Sequence, residues 1–281
     1  MDLHKIFLSD SLYTKYGINS FSEDELLNIL FHNENSDINK IKTLDSYCTV
    51  CKKETTFISS DITTINFRET LLQITDRGID SVDNVFNFLE ECGTFERVFK
   101  CPRPGSDSNH NHVYVFRIKD KELIKIGQSP SIADLAKKEI EKYRSFDENI
   151  YKELNRAIGL SSYGIGVGSY VYLRRIIEKN IVVPILQGLL EKGEIAQDDL
   201  FQSDFKKKID LAKDYLPEFL VSNKKIYSIL SKGIHQLEEK ECNDSFPLLR
   251  TAIEIILDEK IEQQKRDEKN KLIANELNKF K

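Results

Sequence analysis

Long apolar runs are missing from this chain of 281 residues. No stretch approaches the roughly 20 apolar residues that a membrane-spanning helix needs. The opening residues, MDLHKIFLSDSLYTKYG, include acidic and polar side chains too early for a secretory signal peptide. The sequence therefore predicts a cytoplasmic protein without a membrane segment.

A basic excess is also missing. Lys and Arg number 41 against 46 Asp and Glu, so the formal net charge is -5 at pH 7. The molecule as a whole has no field that attracts nucleic acid, and such binding would need a local basic patch. The basic clusters at 172–175, 205–210 and 223–227 hold fewer charges than the roughly 6–10 contacts of a phosphate-binding surface. They are typical of solvated helix faces, so the charge does not favour RNA as a partner.

The cysteines are few and odd in number. Five thiols in a chain of this length do not predict a disulfide scaffold. Cys48 and Cys51 instead form a C-x-x-C pair within YCTVCKKETTFI, a segment rich in β-forming residues. Further along the chain Cys101 is followed by two histidines, His110 and His112. Tetrahedral zinc takes four nitrogen or sulfur ligands, usually as two pairs from two short turns.

This spacing predicts a structural zinc site. The predicted ligands are Cys48, Cys51, Cys101 and His112, with His110 as the alternative to His112. Four protein ligands close the coordination sphere and leave no position for a catalytic water. The sequence contains neither H-E-x-x-H nor an H-x-E followed by P-C-x-x-C, the patterns of zinc catalysis. Two alternatives stay open, a redox-active pair, which needs a β-α-β context, and unrelated buried thiols.

Hydrophobic periodicity predicts three segments. These are an N-terminal helical segment at 1–44, a zinc-ribbon-like region with a helical insertion at 45–130, and a helical domain with a charged tail at 131–281. Ser22 and Glu25 form a capping-box pattern that predicts a helix start. Together the patterns predict an α+β fold, a small α/β region followed by a mostly helical bundle.

Two stretches carry the clearest periodicity. In HVYVFRI the residues alternate, which predicts a strand with Tyr114, Phe116 and Ile118 on one face, and the following KDKE predicts a turn. FPLLRTAIEIILDEKI has apolar residues at helical spacing, and so does the helix that begins near Ser169, which Pro184 should kink or interrupt. Two such helices can build a bundle core, and surplus apolar surface predicts a homodimer.

Three alternating glycines, Gly164, Gly166 and Gly168, precede Ser169 and the helix that follows. A P-loop would require G-x-x-x-x-G-K-[ST], and a dinucleotide loop would require a third glycine where Ser169 stands. The segment therefore predicts a packing corner, with Ser169 as the helix N-cap. The alternative is an anion or nucleotide sensor, because free amides at a helix start can bind an anion.

Three phrases resemble a known group of proteins: KIGQSPS at 125–131, VGSYVYLRRIIE at 167–178 and LSKGIHQLEEKEC at 230–242. They resemble uncharacterised bacterial proteins that join a zinc-ribbon-like region to a HEPN-like helical domain. The resemblance implies a HEPN-like bundle and favours a dimer. It also implies a place in bacterial antiviral defence, where many HEPN relatives are metal-independent ribonucleases.

The ribonucleases of that superfamily use an arginine that four to six intervening residues separate from a histidine. Here the positions before His235 lack the arginine, which puts the ribonuclease activity in doubt. An altered site would combine His235 as base with Arg174 or Arg175 as phosphate-stabilising cation, next to Glu178. Alternatively these arginines form helical ion pairs with Glu178 at i,i+4 and i,i+3.

The sequence thus favours a non-catalytic, zinc-containing binding or regulatory module. By its resemblance it is expected to act as an accessory or sensor in antiviral defence. The alternatives are a ribonuclease effector that uses His235, and an anion or nucleotide sensor at the glycine corner.

Overall fold

The computed structural model describes most of the chain. The described residues are 2–31, 41–60, 89–103, 110–230, 232, 236 and 238–280. The chain divides into two units, one of Met1–Lys137 with Ser162–Gly164 and one of Lys138–Ser161 with Ile165–Lys281. The α+β class predicted from the sequence is confirmed.

The first unit contains a six-stranded sheet in which all neighbours are antiparallel. Its strands are β1 (Lys15–Gly17), β2 (Thr43–Cys48), β3 (Lys53–Ser60), β4 (Thr94–Lys100), β5 (Asn111–Lys119) and β6 (Glu122–Ser129). The spatial order is β1-β6-β5-β4-β3-β2. Asp120 and Lys121 form the predicted turn between β5 and β6, both with positive φ, as the twist of a two-residue hairpin requires.

One face of this sheet forms the core of the first unit. The predicted alternation in β5 is confirmed, since Tyr114, Phe116 and Ile118 are all buried. Two helices cover that face, α1 (Leu3–Leu8) and α2 (Glu23–Leu30). The capping box predicted for α2 is present, because the Glu25 N–H donates to Ser22 Oγ at 3.2 Å and the Ser22 N–H to Glu25 Oε2 at 3.0 Å.

The first two predicted segments, 1–44 and 45–130, therefore share one core rather than forming separate parts. Phe7 of α1 packs edge-on against the rings of Phe99, Tyr114 and Phe116, with centroids 4.9 to 5.5 Å apart. Apolar side chains of α1 alone cannot build a core, and the sheet supplies the opposite layer. The helical insertion predicted within 45–130 falls mostly on 61–88, outside the described residues.

The described elements after the sheet are helical. They are α3 (Ile132–Arg144), α4 (Glu148–Ser162), α5 (Gly166–Ile177), α6 (Val183–Glu191), α7 (Gln197–Phe201), α8 (Phe205–Ala212), α9 (Glu218–Ser222), α10 (Lys224–Leu230) and α11 (Glu239–Leu277). The predicted interruption near Pro184 takes the form of a π-helical turn at Glu178–Val182, after which Pro184 lies in the first turn of α6. The Val183 N–H donates to the Glu178 carbonyl across this π-helical turn, and the irregular turn accommodates Pro184, which has no N–H to donate.

We expect Phe7→Ala to lower the free energy of unfolding of the first unit by about 3–5 kcal/mol, because it removes a fully buried ring and leaves a cavity. His4→Ala, on the exposed face of the same helix, should change it by less than about 0.5 kcal/mol. Hydrogen exchange of β4 and β5 peptides in increasing urea measures the difference. Equal protection in the two variants would contradict this account of the core.

Candidate metal centre

Three cysteines and one histidine converge at one end of the sheet. Cys48 ends β2, Cys51 lies in the turn before β3, Cys101 directly follows β4, and His110 directly precedes β5. Their three sulfur atoms and one imidazole nitrogen all lie within 4.8 Å of one another. The Cys51 Sγ atom lies 3.9 Å from Cys101 Sγ and 3.1 Å from His110 Nδ1.

Sheet pairing explains this convergence. Cys48 and Cys51 belong to the β2–β3 hairpin, and Cys101 and His110 belong to the β4–β5 hairpin. Because β3 pairs with β4, with Ile58 opposite Lys100, the two hairpins are neighbours in one sheet. A backbone hydrogen bond of 3.0 Å from the Cys101 N–H to the His110 carbonyl closes the base of the β4–β5 connection.

The C-x-x-C turn is shaped to present both sulfurs. The Lys52 N–H donates to the Cys48 carbonyl at 2.8 Å, and Lys52 adopts a positive φ of 56°. The Cys51 N–H donates to Cys48 Sγ at 3.3 Å. Since this pair lies in a β-hairpin turn and not at the start of a helix, it lacks the context of a thioredoxin-like redox pair.

The electrostatics of the two thiols differ. Burial alone would raise the pKa of Cys48, but hydrogen bonds from the backbone N–H groups of Cys51 and Val50 lower it below its ordinary value. The pKa of Cys51 is raised, first by desolvation and then by its neighbours Cys48 and Cys101. A cation bound among the sulfurs would offset the raised pKa of Cys51 and add to the lowering at Cys48, because it favours thiolates.

The structure places His110, and not the predicted His112, beside the three cysteines. His112 is buried in the core, where its ring lies 3.9 Å from that of Phe57. Burial lowers its pKa to about 4. The assignment of His112 as the fourth ligand is therefore corrected to His110. The signal was available in the sequence, since His112 has the same parity as Tyr114 and thus belongs to the buried face of β5.

The glycine corner is a packing site between helices of the second unit. The helix α5 begins at Gly166, so Ser169 is not its N-cap but lies buried in its first turn, where its hydroxyl donates to the Gly166 carbonyl at 2.7 Å. A Cβ on Gly166 would lie 2.6 Å from the Glu239 carbonyl oxygen and 2.8 Å from the Asn243 nitrogen. Only glycine allows this approach of α5 to α11.

An anion does bind the free amides of this helix start, and it comes from the chain itself. Glu239 Oε2 accepts hydrogen bonds from the N–H groups of Gly166 at 2.5 Å and Val167 at 3.1 Å. A carboxylate at this position also complements the helix dipole. No local pattern predicts this contact, because Glu239 is distant from the corner in sequence.

The proposed catalytic residues have separate partners. Arg174 pairs with Glu178 at 3.4 Å, as expected for i,i+4 residues, while Arg175 pairs with Glu153 of α4 at 2.8 Å and not with Glu178. Glu178 also binds Lys208 at 3.1 Å. His235 lies outside the described residues. The ribonuclease site therefore stays a prediction.

Comparison of this chain with protein-family models, with curated proteins and with solved structures finds no match. Among the described residues, no helix has the length and apolar character needed to cross a membrane. Function must therefore be inferred from the geometry of the Cys3His cluster and from the surfaces around it.

We expect Gly166→Ala to destabilise the second unit by about 1–3 kcal/mol, because the added methyl group overlaps backbone atoms of α11. Gly188→Ala is the matched control, since a Cβ there would meet no atom within 4 Å. In this helical position alanine should stabilise by roughly 0.5–1 kcal/mol. Thermal unfolding of both variants gives the sign of each change, and two changes of equal sign would contradict the packing role.

Proposed function

We propose that this protein is a non-catalytic binding or regulatory module whose N-terminal unit is stabilised by a structural zinc ion. The observation that carries the proposal is the convergence of Cys48, Cys51, Cys101 and His110 within 4.8 Å. These residues come from two hairpins that are distant in sequence, which is how structural zinc sites usually collect their ligands.

The donor set and the distances support zinc over other metals. Thiolate and imidazole are soft or borderline ligands, and a set of three sulfurs and one nitrogen is typical of structural zinc, whereas calcium and magnesium prefer oxygen. Tetrahedral zinc with bonds of about 2.3 Å to sulfur holds two sulfurs about 3.8 Å apart. The Cys51 and Cys101 sulfurs lie 3.9 Å apart.

The same donor set supports a structural role. Four protein ligands fill a tetrahedral sphere, so no position is left for a reactive water. A metal held there would join the β2–β3 hairpin to the β4–β5 hairpin at the edge of the apolar core, against which Cys51 and Cys101 pack. The family resemblance adds the proposal that the module serves as an accessory or sensor in bacterial antiviral defence.

The contacts in the helical unit favour binding over catalysis. Both arginines that an RNA-cleaving site would need are engaged by carboxylates, Arg174 by Glu178 and Arg175 by Glu153. The amides of the glycine corner are likewise occupied by Glu239. A nucleotide or an RNA phosphate would have to displace these internal partners.

We expect the purified chain to hold about one zinc ion, as a single four-ligand site would. His110→Asn should lose most of it, because a ligand is removed, while His112→Leu should retain it, because that side chain is buried beside Phe57. Zinc content by elemental mass spectrometry, together with thermal unfolding with and without chelator, measures the effect. Cys92→Ser is the control for the thiols, as Cys92 is not in the cluster. The reverse result for the two histidine variants would refute the ligand assignment.

A separate assay tests the absence of catalysis. We expect the zinc-loaded wild-type chain and His235→Ala to leave labelled single-stranded RNA equally intact, with or without chelator. Cleavage by the wild type that His235→Ala abolishes would replace the binding-module proposal by the ribonuclease. That result would leave the zinc assignment untouched, so the two parts of the proposal fail independently.

A further inference from the structure

The long helix α11 carries a surface that nothing in the described chain covers. The helix has 39 residues and is thus about 58 Å long. Its buried side chains all precede residue 258, and the described residues at 262–279 are exposed. Because most helical stability in proteins comes from packing of one face, a helix exposed over more than four turns lacks its usual source of stability.

Four exposed apolar side chains mark one face of α11. Leu248, Ile255, Ile273 and Leu277 are 67%, 37%, 59% and 63% exposed. At about 3.6 residues per turn, all four lie within about 40° of one another around the helix axis. This face is different from the apolar stripe predicted for the bundle core in the same stretch, whose residues Leu249, Ile253, Ile256 and Leu257 are buried in the second unit.

Charges of both signs occupy the same face between the apolar ends. From Ile255 to Ile273 the positions of this face are separated alternately by four and three residues, which is the spacing of a coiled-coil seam. The residues of this α11 seam are Ile255, Glu259, Glu262, Arg266, Lys269 and Ile273. The two acidic residues come first and the two basic residues second. In an antiparallel pair, the acidic half of one seam would therefore face the basic half of the other.

We propose that the α11 seam pairs antiparallel with the α11 seam of a second copy of this chain. A two-fold axis near residue 264 places Ile255 opposite the partner's Ile273, Glu259 opposite the partner's Lys269, and Glu262 opposite the partner's Arg266. Each pair occurs twice, as an isologous interface requires. Charged residues within a seam lower its stability but specify its register and orientation.

The structure leaves the seam charges available for this pairing. Glu262, Arg266 and Lys269 form no ion pair with the described residues. Glu259 accepts a hydrogen bond of 3.3 Å from the Phe219 N–H, which holds its carboxylate beside the seam. A carboxylate can accept further bonds from an opposing lysine.

Other occupants fit the seam less well. In a parallel pair each residue faces its own copy, so Glu262 would meet the partner's Glu262 and Arg266 the partner's Arg266, and like charges would repel. A nucleic acid would gain little, because the two carboxylates cancel the two cations and leave no net charge to neutralise phosphates. The pairing does not depend on the metal cluster, which lies in the other unit.

Sedimentation velocity of the full chain at increasing concentration tests the pairing. We expect the wild type to be dimeric at high concentration and the double variant Ile273→Asp/Leu277→Asp to remain monomeric, with unchanged thermal unfolding because both residues are exposed. The control is Leu272→Asp, which adds one negative charge where the double variant adds two, at a neighbouring residue that is 65% exposed but lies off the seam. A monomeric wild type, or a dimer that survives the double variant, overturns the proposal.

Charge exchange and crosslinking test the orientation. Glu262→Arg or Arg266→Glu alone should weaken the dimer at least about tenfold, and the double exchange should restore it, because it recreates both cross-pairs. Under mild oxidation Ile255→Cys and Ile273→Cys should crosslink when mixed but not when each is alone, with the wild type as the background. Crosslinking of each variant alone would indicate a parallel pair and overturn the antiparallel assignment.

Discussion

The pairing of β3 with β4 is the interaction on which the candidate metal centre depends. It joins two hairpins that are each formed by local contacts, and it does so in a register that places Ile58 opposite Lys100. A shift of one residue would turn the alternating side chains of a strand to the other face. The buried face of the sheet therefore holds the register, and the register in turn brings Cys48 and Cys51 to Cys101 and His110.

A bound metal would add to the sheet pairing a second link between the two hairpins, at the end of the sheet where the cysteines lie. The rings around Phe7 lie in the core of the first unit, whereas of the clustered cysteines Cys48 is buried and Cys51 and Cys101 are only partly buried. Because the candidate ligands come from two hairpins, one shared ion would hold both hairpins together. The tight C-x-x-C turn also explains the lowered pKa of the Cys48 thiol, because the backbone N–H groups that lower it, those of Cys51 and Val50, belong to that turn.

In the helical unit the candidate ligand-binding groups are paired with other groups of the same unit. Glu239 of α11 binds the N–H groups at the start of α5, and Arg175 of α5 binds Glu153 of α4. The glycine corner and Arg175, which the sequence offered as an anion site and a catalytic cation, thus hold helices together. The same helix α11 that closes this unit extends past its buried residues as an exposed helix. One element thus contributes both to the core and to the surface from which we infer self-association.

The sequence by itself determined the features that depend on neighbours in the chain. The capping box of α2 and the alternation in β5 need only residues a few positions apart. Three of the four clustered residues were recognised from the C-x-x-C spacing and the later Cys-His pair. The same patterns did not predict the start of α5 correctly. The helix begins at Gly166 and is not capped by Ser169, and Gly166 is the residue at which α11 approaches α5 most closely among the glycines of this corner. They also left His110 and His112 undecided, although strand parity favours a buried His112.

Only the tertiary structure decided which distant groups meet. The choice of His110 follows from the pairing of the two hairpins, and the partners of Arg175 and Gly166 come from other helices. Such contacts are set by the packing of whole elements, whose energies are summed over many side chains and are not encoded in any short motif.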